Sequence, residues 1–208
     1  LRERISQQYQ DNYGIKIDKN RIIATVGASG ALMLSLLSWL DVGDKIALPL
    51  PAYGAYTQTI KLMGLNIINI PTTLENRLLA TTEDLQKAFK KKKFKAILLA
   101  SPGNPTGSVY KPEEIKSILS FCKKNNIKVI FDEIYHGLLY GEFKNPKTAL
   151  EFDQDIIVIN SFSKYFSMPG WRIGWMVVPD SLIDTIGSIQ RNILLCPPTP
   201  SQWVALKS

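Results

Sequence analysis

The sequence predicts an α/β protein, a three-layer αβα sandwich built around a mostly parallel sheet of about seven strands. Short apolar runs alternate with longer amphipathic runs along the chain, which is the pattern of parallel strands connected by helices. The 208 residues are 45% hydrophobic, enough to bury one sizeable core. No linker, repeat or low-complexity segment divides the chain, so we expect residues 1–208 to form one domain.

The elements follow one another in chain order. Short apolar runs predict strands at Arg21–Thr25, Lys45–Leu48, Asn66–Ile70, Ala96–Ala100, Lys128–Phe131, Ile156–Asn160 and Ile173–Val177. Longer amphipathic runs predict helices at Ser29–Leu40, Tyr53–Met63, Thr82–Lys91, Pro112–Asn125 and Ser181–Leu194. A proline followed by two glutamates marks the start of the fourth helix, and an Asn-Asn pair marks its end. Because ligands of such sheets collect at the carboxyl ends of strands, we expect site residues just after them.

The segment from Asn160 to Arg172 is the most informative in the chain. Lys164 stands among small hydroxyl residues, and Arg172 follows eight positions later. A lysine becomes a carbonyl-reactive amine when its neighbours lower its pKa. Ser161 and Arg172 can hold a phosphate beside it, by a hydrogen bond and a charged fork. An amine next to a phosphate site suggests pyridoxal 5′-phosphate bound as a Schiff base, although a lone lysine is also compatible with a solvated surface.

Two further segments place special residues after predicted strands. Ala24–Leu32 runs from a strand through small residues into a helix, so the backbone N–H groups of its first turn and the Ser29 hydroxyl can meet an anion. A tight turn with a serine N-cap is the alternative. Tyr53 follows two prolines at a strand end and can stack on a flat heterocycle. Alone, a tyrosine in this position more often packs half-buried on the sheet.

Two more motifs complete the candidate site. Ser101–Gly107 contains two prolines and two glycines, more special residues than an ordinary turn needs, and they fix a rigid loop that orients Asn104. The amide of Asn104 can donate to a phenolate oxygen. Asp132 ends a strongly apolar strand, where a carboxylate is costly unless it has a cationic partner. A protonated pyridine nitrogen is such a partner, and it turns the ring into an electron sink. Tyr135, three residues later, can reach the ring's O3′.

Composition excludes several other classes of protein. No apolar run is long enough to span a bilayer. The single histidine, His136, cannot form a histidine-rich metal site, and no metal is expected. The two cysteines show neither pairing nor metal spacing, as in a reducing cytoplasm. The net charge of +7 owes much to the lysine run Lys90–Lys95, which we interpret as a solvated helix end, and nucleic-acid binding is not expected.

Together the motifs resemble those of the class I/II aminotransferases, pyridoxal-phosphate enzymes of fold type I in the aspartate aminotransferase superfamily. The resemblance rests on Ser-Pro-Gly-Asn-Pro-Thr-Gly, Asp-Glu-Ile-Tyr and Ser-Phe-Ser-Lys followed by Met-Pro-Gly-Trp-Arg-Ile-Gly, in that order along nearly the whole chain. Two positions depart from it, since many relatives have proline at Gly54 and threonine at Pro169. The resemblance implies that residues 1–208 are the cofactor-binding large domain of such an enzyme.

The resemblance also implies a role for each candidate residue. Lys164 would form the Schiff base and carry the proton between Cα and C4′. Asp132 would pair with the pyridine nitrogen. Tyr135 and Asn104 would bond O3′, Asn104 would also lie near the substrate carboxylate, and Tyr53 would stack on the ring. The phosphate would be held by four residues, namely Ala28, Ser29, Ser161 and Arg172.

The implied activity is transamination between an L-amino acid and a 2-oxo acid by a ping-pong mechanism, in a cytoplasmic homodimer. The N-terminal arm and the C-terminal small domain of the family, with its substrate-carboxylate arginine, lie outside these residues, so we expect residues 1–208 alone to be inactive. Two alternatives stay open. One is β C–S lysis on the same scaffold, which the tyrosine at position 135 disfavours. The other is the aminotransferase-like domain of a transcription regulator.

Overall fold

The chain folds as seven strands in a mixed sheet with flanking helices. The computed structural model describes the backbone of residues 1–208 and all side chains other than that of Glu142. The chain divides into two compact units: unit 1 comprises Leu1–Ser38 and Glu133–Ser208, and unit 2 comprises Trp39–Asp132. The seven strands and the flanking helices confirm the predicted α/β class.

The observed elements agree closely with the predicted ones. The strands are β1 (Ile22–Thr25), β2 (Lys45–Leu50), β3 (Asn66–Pro71), β4 (Ala96–Ala100), β5 (Lys128–Asp132), β6 (Ile157–Ser161) and β7 (Gly174–Val177). The helices are α1 (Arg2–Tyr13), α2 (Gly27–Trp39), α3 (Gly54–Leu62), α4 (Thr82–Lys91), α5 (Pro112–Lys124), α6 (Ile183–Ile193) and α7 (Thr199–Lys207). Every predicted boundary lies within two residues of the observed one. The largest difference that affects the site is that α2 begins at Gly27 rather than at Ser29.

Unit 2 contains a parallel four-stranded sheet in the order β5-β4-β2-β3. The strand β4 is apolar throughout and nearly all buried, as expected for a parallel strand covered on both faces. Helix α4 begins with a capping box, in which Thr81 and Asp84 satisfy each other's backbone N–H groups. Because β2, β4 and β5 are parallel neighbours, the segments that follow them start at the same edge.

Unit 1 contains three antiparallel strands in the order β1-β7-β6. The strand β7 runs against both neighbours, and Gly174 at its start pairs with Thr25 on one side and Ser161 on the other. The start of β7 therefore lies at the edge where β1 and β6 end. Trp175 and Met176 of this strand are fully buried and anchor it in the core of the unit.

None of the helices formed by the described residues combines the length and the apolar composition that crossing a membrane requires.

Candidate active site

The start of α2 and the start of β7 pack in unusually close contact in unit 1. A Cβ atom added to Gly174 would lie 2.8 Å from the carbonyl carbon of Gly27 and 3.1 Å from the backbone nitrogen of Ala28. Only glycine permits this approach at position 174. The backbone N–H groups at the start of α2, which include those of Ala28 and Ser29, have no partner within the helix and are suited to an anion.

Arg172 places a cation at this helix start. A Cβ atom on Gly27 would lie 2.6 Å from Nη2 of Arg172, so the guanidinium rests against the first residue of α2. Its Nη1 donates a hydrogen bond to the carbonyl of Pro169 (2.9 Å), and no ion pair is recorded for it among the described side chains. The N-terminus of a helix carries partial positive charge. A guanidinium beside it adds positive charge at the same place, so the two groups together suit an anion and fit a phosphate.

Ser161, which is also predicted to bind the phosphate, is 1% exposed at the end of β6. Its hydroxyl lies 3.0 Å from the carbonyl oxygen of Ile173 and 2.9 Å from the hydroxyl of Ser163. It also accepts a hydrogen bond from the backbone N–H of Ser163 (3.1 Å). Ser161 thus ties the loop after β6 to the start of β7. The half-buried Ser163, whose role the sequence leaves open, presents the more accessible hydroxyl.

Lys164 and Tyr135 occupy turns of unit 1. The Lys164 side chain is exposed, and its backbone carbonyl accepts a hydrogen bond from the N–H of Ser167 (3.0 Å) in the turn that leads towards Arg172. Tyr135 is half-buried in a second turn, and its backbone carbonyl accepts a hydrogen bond from the N–H of Leu138 (3.1 Å). The amine is accessible to a ligand, as a carbonyl-reactive lysine requires.

The turn that carries Tyr135 is fixed by the fully buried carboxylate of Glu133. This carboxylate accepts hydrogen bonds from the hydroxyl of Thr148 (2.8 Å) and from the N–H of Ala149 (2.7 Å). His136 lies 3.6 Å from it. Burial, together with the nearby negative charge of Glu133, raises the pKa of Tyr13 well above its ordinary value. These contacts hold Glu133 and His136 in place, and Tyr135 lies between them in the turn.

Asp132 is the buried acid of unit 2. It is 6% exposed at the end of β5, and its Oδ2 accepts a hydrogen bond of 2.6 Å from the phenol of Tyr56. A phenol that donates to a carboxylate makes one of the shorter and stronger protein hydrogen bonds. The carboxylate is therefore held in one orientation by a residue of α3.

The loop after β4 is tied to the same strand end. The N–H of Ser101 donates to the carbonyl of Asp132 (3.0 Å), and the N–H of Gly103 donates to the carbonyl of Ser108 (2.8 Å). Asn104 and Tyr56 both line a cavity of about 30 Å³ in unit 2, roughly the volume of one water molecule. The loop therefore lies beside the residue that holds the acid.

Tyr53 lies immediately before α3 and is 48% exposed, so its side chain is accessible from solvent. Its ring meets that of Tyr56 edge to face, with the centroids 5.5 Å apart. The three unit 2 residues predicted for the site thus follow, or end, the three neighbouring strands β2, β4 and β5. In unit 1, the four residues predicted for the phosphate lie at the starts of α2 and β7 or at the strand end paired with β7, whereas Lys164 and Tyr135 lie in turns.

Sequence reasoning missed two residues. Tyr56 contacts Asp132 directly, and the available signal was its position three residues after Tyr53, in the first turn of the predicted helix. Gly27 gives room to the guanidinium of Arg172. No local signal distinguishes it from an ordinary turn glycine.

The sequence matches a known protein family and several of its members. Residues 1–208, the whole chain, match the sequence model of the family described as aminotransferase class I and II. The chain is 35% identical over 208 residues to the valine–pyruvate aminotransferase of Mycobacterium tuberculosis, a match covering 100% of this chain and 53% of that protein. It is 35% identical over 212 residues to a probable aspartate aminotransferase of Methanocaldococcus jannaschii, covering 99% and 55%.

The fold is shared with a solved structure. A crystal structure of an aminotransferase from Mycobacterium tuberculosis superposes with a TM-score of 0.94 at 35% identity, over 99% of this chain and 52% of that one. The chain spans about half the length of the curated relatives it matches. These matches confirm the resemblance that the motifs indicated.

Proposed function

Because the chain belongs to the class I and II aminotransferase family, we propose that the full-length protein is a pyridoxal-phosphate-dependent aminotransferase. It moves an amino group between an L-amino acid and a 2-oxo acid by a ping-pong mechanism. The observation that carries the proposal is the position of the Arg172 guanidinium against the start of α2. Arg172 lies on the same loop segment as Lys164. A cation, a helix N-terminus and an accessible amine are the groups that bind a phosphate-bearing aldehyde.

The phosphate is assigned to unit 1. Arg172 supplies the positive charge, and the first turn of α2, with Ala28 and Ser29, supplies backbone N–H groups. Ser161 and the adjacent Ser163 supply hydroxyls. These groups would contact only the non-reacting end of the cofactor, so they would fix its position without changing its chemistry.

For the ring of the cofactor, each predicted residue would have the role that the family resemblance implies. Asp132 would accept a hydrogen bond from the protonated ring nitrogen and keep it protonated. Tyr53 would stack on the ring, and Asn104 and Tyr135 would donate to O3′. When bound, pyridoxal phosphate supplies the carbonyl that takes up the amino group and the electron-withdrawing ring that weakens the Cα–H bond.

Lys164 is assigned both covalent attachment of the cofactor and proton transfer. Its exposed amine would hold the cofactor covalently in the resting enzyme. Once released, the same amine would take the proton from the substrate Cα and return it at C4′. The second half-reaction runs these steps in reverse with a 2-oxo acid, which accounts for the ping-pong order.

The substrate pair is left at the level of its class. One matched relative is named for valine and pyruvate and another for aspartate, so the family likeness does not select an amino acid. We further propose a homodimer in the cytoplasm. The free thiols Cys122 and Cys196 suit a reducing compartment.

The decisive experiment is borohydride reduction of the full-length protein with pyridoxal phosphate, followed by peptide mapping. The label is expected on Lys164. The matched controls are other exposed lysines of the same chain, Lys123 and the run Lys90–Lys93. A label on any of those in place of Lys164 would refute the assignment. A panel of amino acids and 2-oxo acids then identifies the substrates, and release of pyruvate from cystathionine would indicate β-lysis instead.

A further inference from the structure

Gly27 combines two features that only glycine tolerates together. It opens α2 with a φ of +66°, in the left-handed region. A Cβ atom at this position would lie 2.6 Å from Nη2 and 3.2 Å from Cζ of Arg172. Both distances are shorter than ordinary van der Waals contact, so the guanidinium occupies the space that a side chain at position 27 would need.

The two partners differ in how easily they move. The backbone of α2 is held from the other side, because Gly174 packs against the carbonyl carbon of Gly27 and the backbone nitrogen of Ala28. The contacting atoms of Arg172, in contrast, are the far end of a flexible side chain, held by one hydrogen bond to the carbonyl of Pro169. A methyl group at position 27 should therefore displace the guanidinium and leave the fold in place.

We propose that Gly27 is a positioning residue for the phosphate of the cofactor: its missing side chain seats the Arg172 guanidinium directly on the first turn of α2. The cation and the backbone N–H groups then converge on the same anion. This inference rests on the proposed function, and it adds a residue that contacts neither the substrate nor the reacting atoms.

The proposal predicts an effect that depends on the phosphate. Displacing the guanidinium weakens a charged hydrogen bond to the phosphate, which changes affinity by roughly tenfold or more. Pyridoxal, which has the same ring and aldehyde but no phosphate, is expected to lose little. The quantity to measure is therefore the ratio of the two dissociation constants, obtained by absorbance titration of the full-length protein.

The matched control is Gly14→Ala. Gly14 also lies in unit 1 and has a φ of +70°, but nothing lies within 4 Å of an added Cβ. It reproduces the backbone strain of Gly27→Ala without the contact. Gly27→Ala should lower the preference for pyridoxal phosphate over pyridoxal by about tenfold or more, whereas Gly14→Ala should leave it unchanged. An unchanged preference in Gly27→Ala overturns the proposal.

A double-mutant cycle tests whether Gly27→Ala acts through the guanidinium of Arg172. In an Arg172→Ala background the space beside position 27 is open, so adding Gly27→Ala should have no further effect on the preference. If Gly27→Ala destabilises the protein, Arg172→Ala should restore part of its thermal stability. An equal effect of Gly27→Ala with and without Arg172 contradicts the proposal. If the wild-type protein itself shows no preference for the phosphate form, the proposed phosphate site fails, and this inference fails with it.

Discussion

The hydrogen bond between Tyr56 and Asp132 offers the sharpest test of the unit 2 half of the site. The two side chains are 7% and 6% exposed, and the phenol oxygen lies 2.6 Å from Oδ2 of the carboxylate. Tyr56→Phe removes the donor and keeps the ring, so packing is nearly unchanged. The buried carboxylate loses a partner that solvent replaces poorly, because both groups are largely shielded from water.

The size of the effect follows from the type of bond. A hydrogen bond to a charged group contributes about 1.5–3 kcal/mol, so Tyr56→Phe is expected to lower the free energy of unfolding by this amount. The assay is urea denaturation without cofactor, with an unchanged m-value as the sign of an intact native state. Tyr53→Phe is the matched control, since its 48% exposed side chain has no recorded hydroxyl hydrogen bond among the described residues. Its effect should lie within about 0.5 kcal/mol of zero.

A double-mutant cycle with Asp132→Asn assigns the effect to the pair. If the phenol acts through the carboxylate, the coupling energy between the two substitutions should exceed about 1 kcal/mol. Additive effects, or a loss in Tyr56→Phe no larger than in Tyr53→Phe, would refute the reasoning and place the importance of Tyr56 in packing alone.

Two other predictions follow from burial and charge. Asp132→Asn should reduce turnover far more than it reduces cofactor occupancy, because the carboxylate stabilises developing charge in the transition state more than it stabilises the bound ground state; near-normal turnover would rule out this role. Burial raises the pKa of the Cys122 thiol to about 12, so at pH 8 it stays protonated and iodoacetamide should label exposed Cys196 alone until denaturant is added. Rapid labelling of Cys122 in the folded protein would contradict this.

The fold was largely predictable because each element carries its own local signal. The strands β4 and β5 are short and apolar, and α4 and α5 have clear start signals in Thr81 and Pro112. The direction of a strand has no such signal. The strand β7 runs against β1 and β6, and apolar composition does not distinguish it from a parallel strand. That reversal brings the loop before β7 to the ends of β1 and β6.

Residues of the candidate site were predictable where burying that type of side chain without a partner would cost free energy. A carboxylate that ends a buried strand needs a partner, and this argument identified Asp132 without any structure. The identity of that partner was not predictable in the same way. Tyr56 is an apolar-looking position on an amphipathic helix, and its role depends on a contact between residues 76 positions apart.

The residues proposed to bind the phosphate show a second feature that local sequence patterns do not predict, namely backbone conformation. Arg172 was found because a cation beside hydroxyl residues suggests an anion, but its backbone adopts a left-handed conformation, with a φ of 49°. For a non-glycine residue this costs on the order of 1 kcal/mol. The conformation is maintained by surrounding contacts, among them the hydrogen bond to Pro169. The strained backbone and the cation beside the positive end of α2 both oppose stability, and such strain is characteristic of ligand-binding sites.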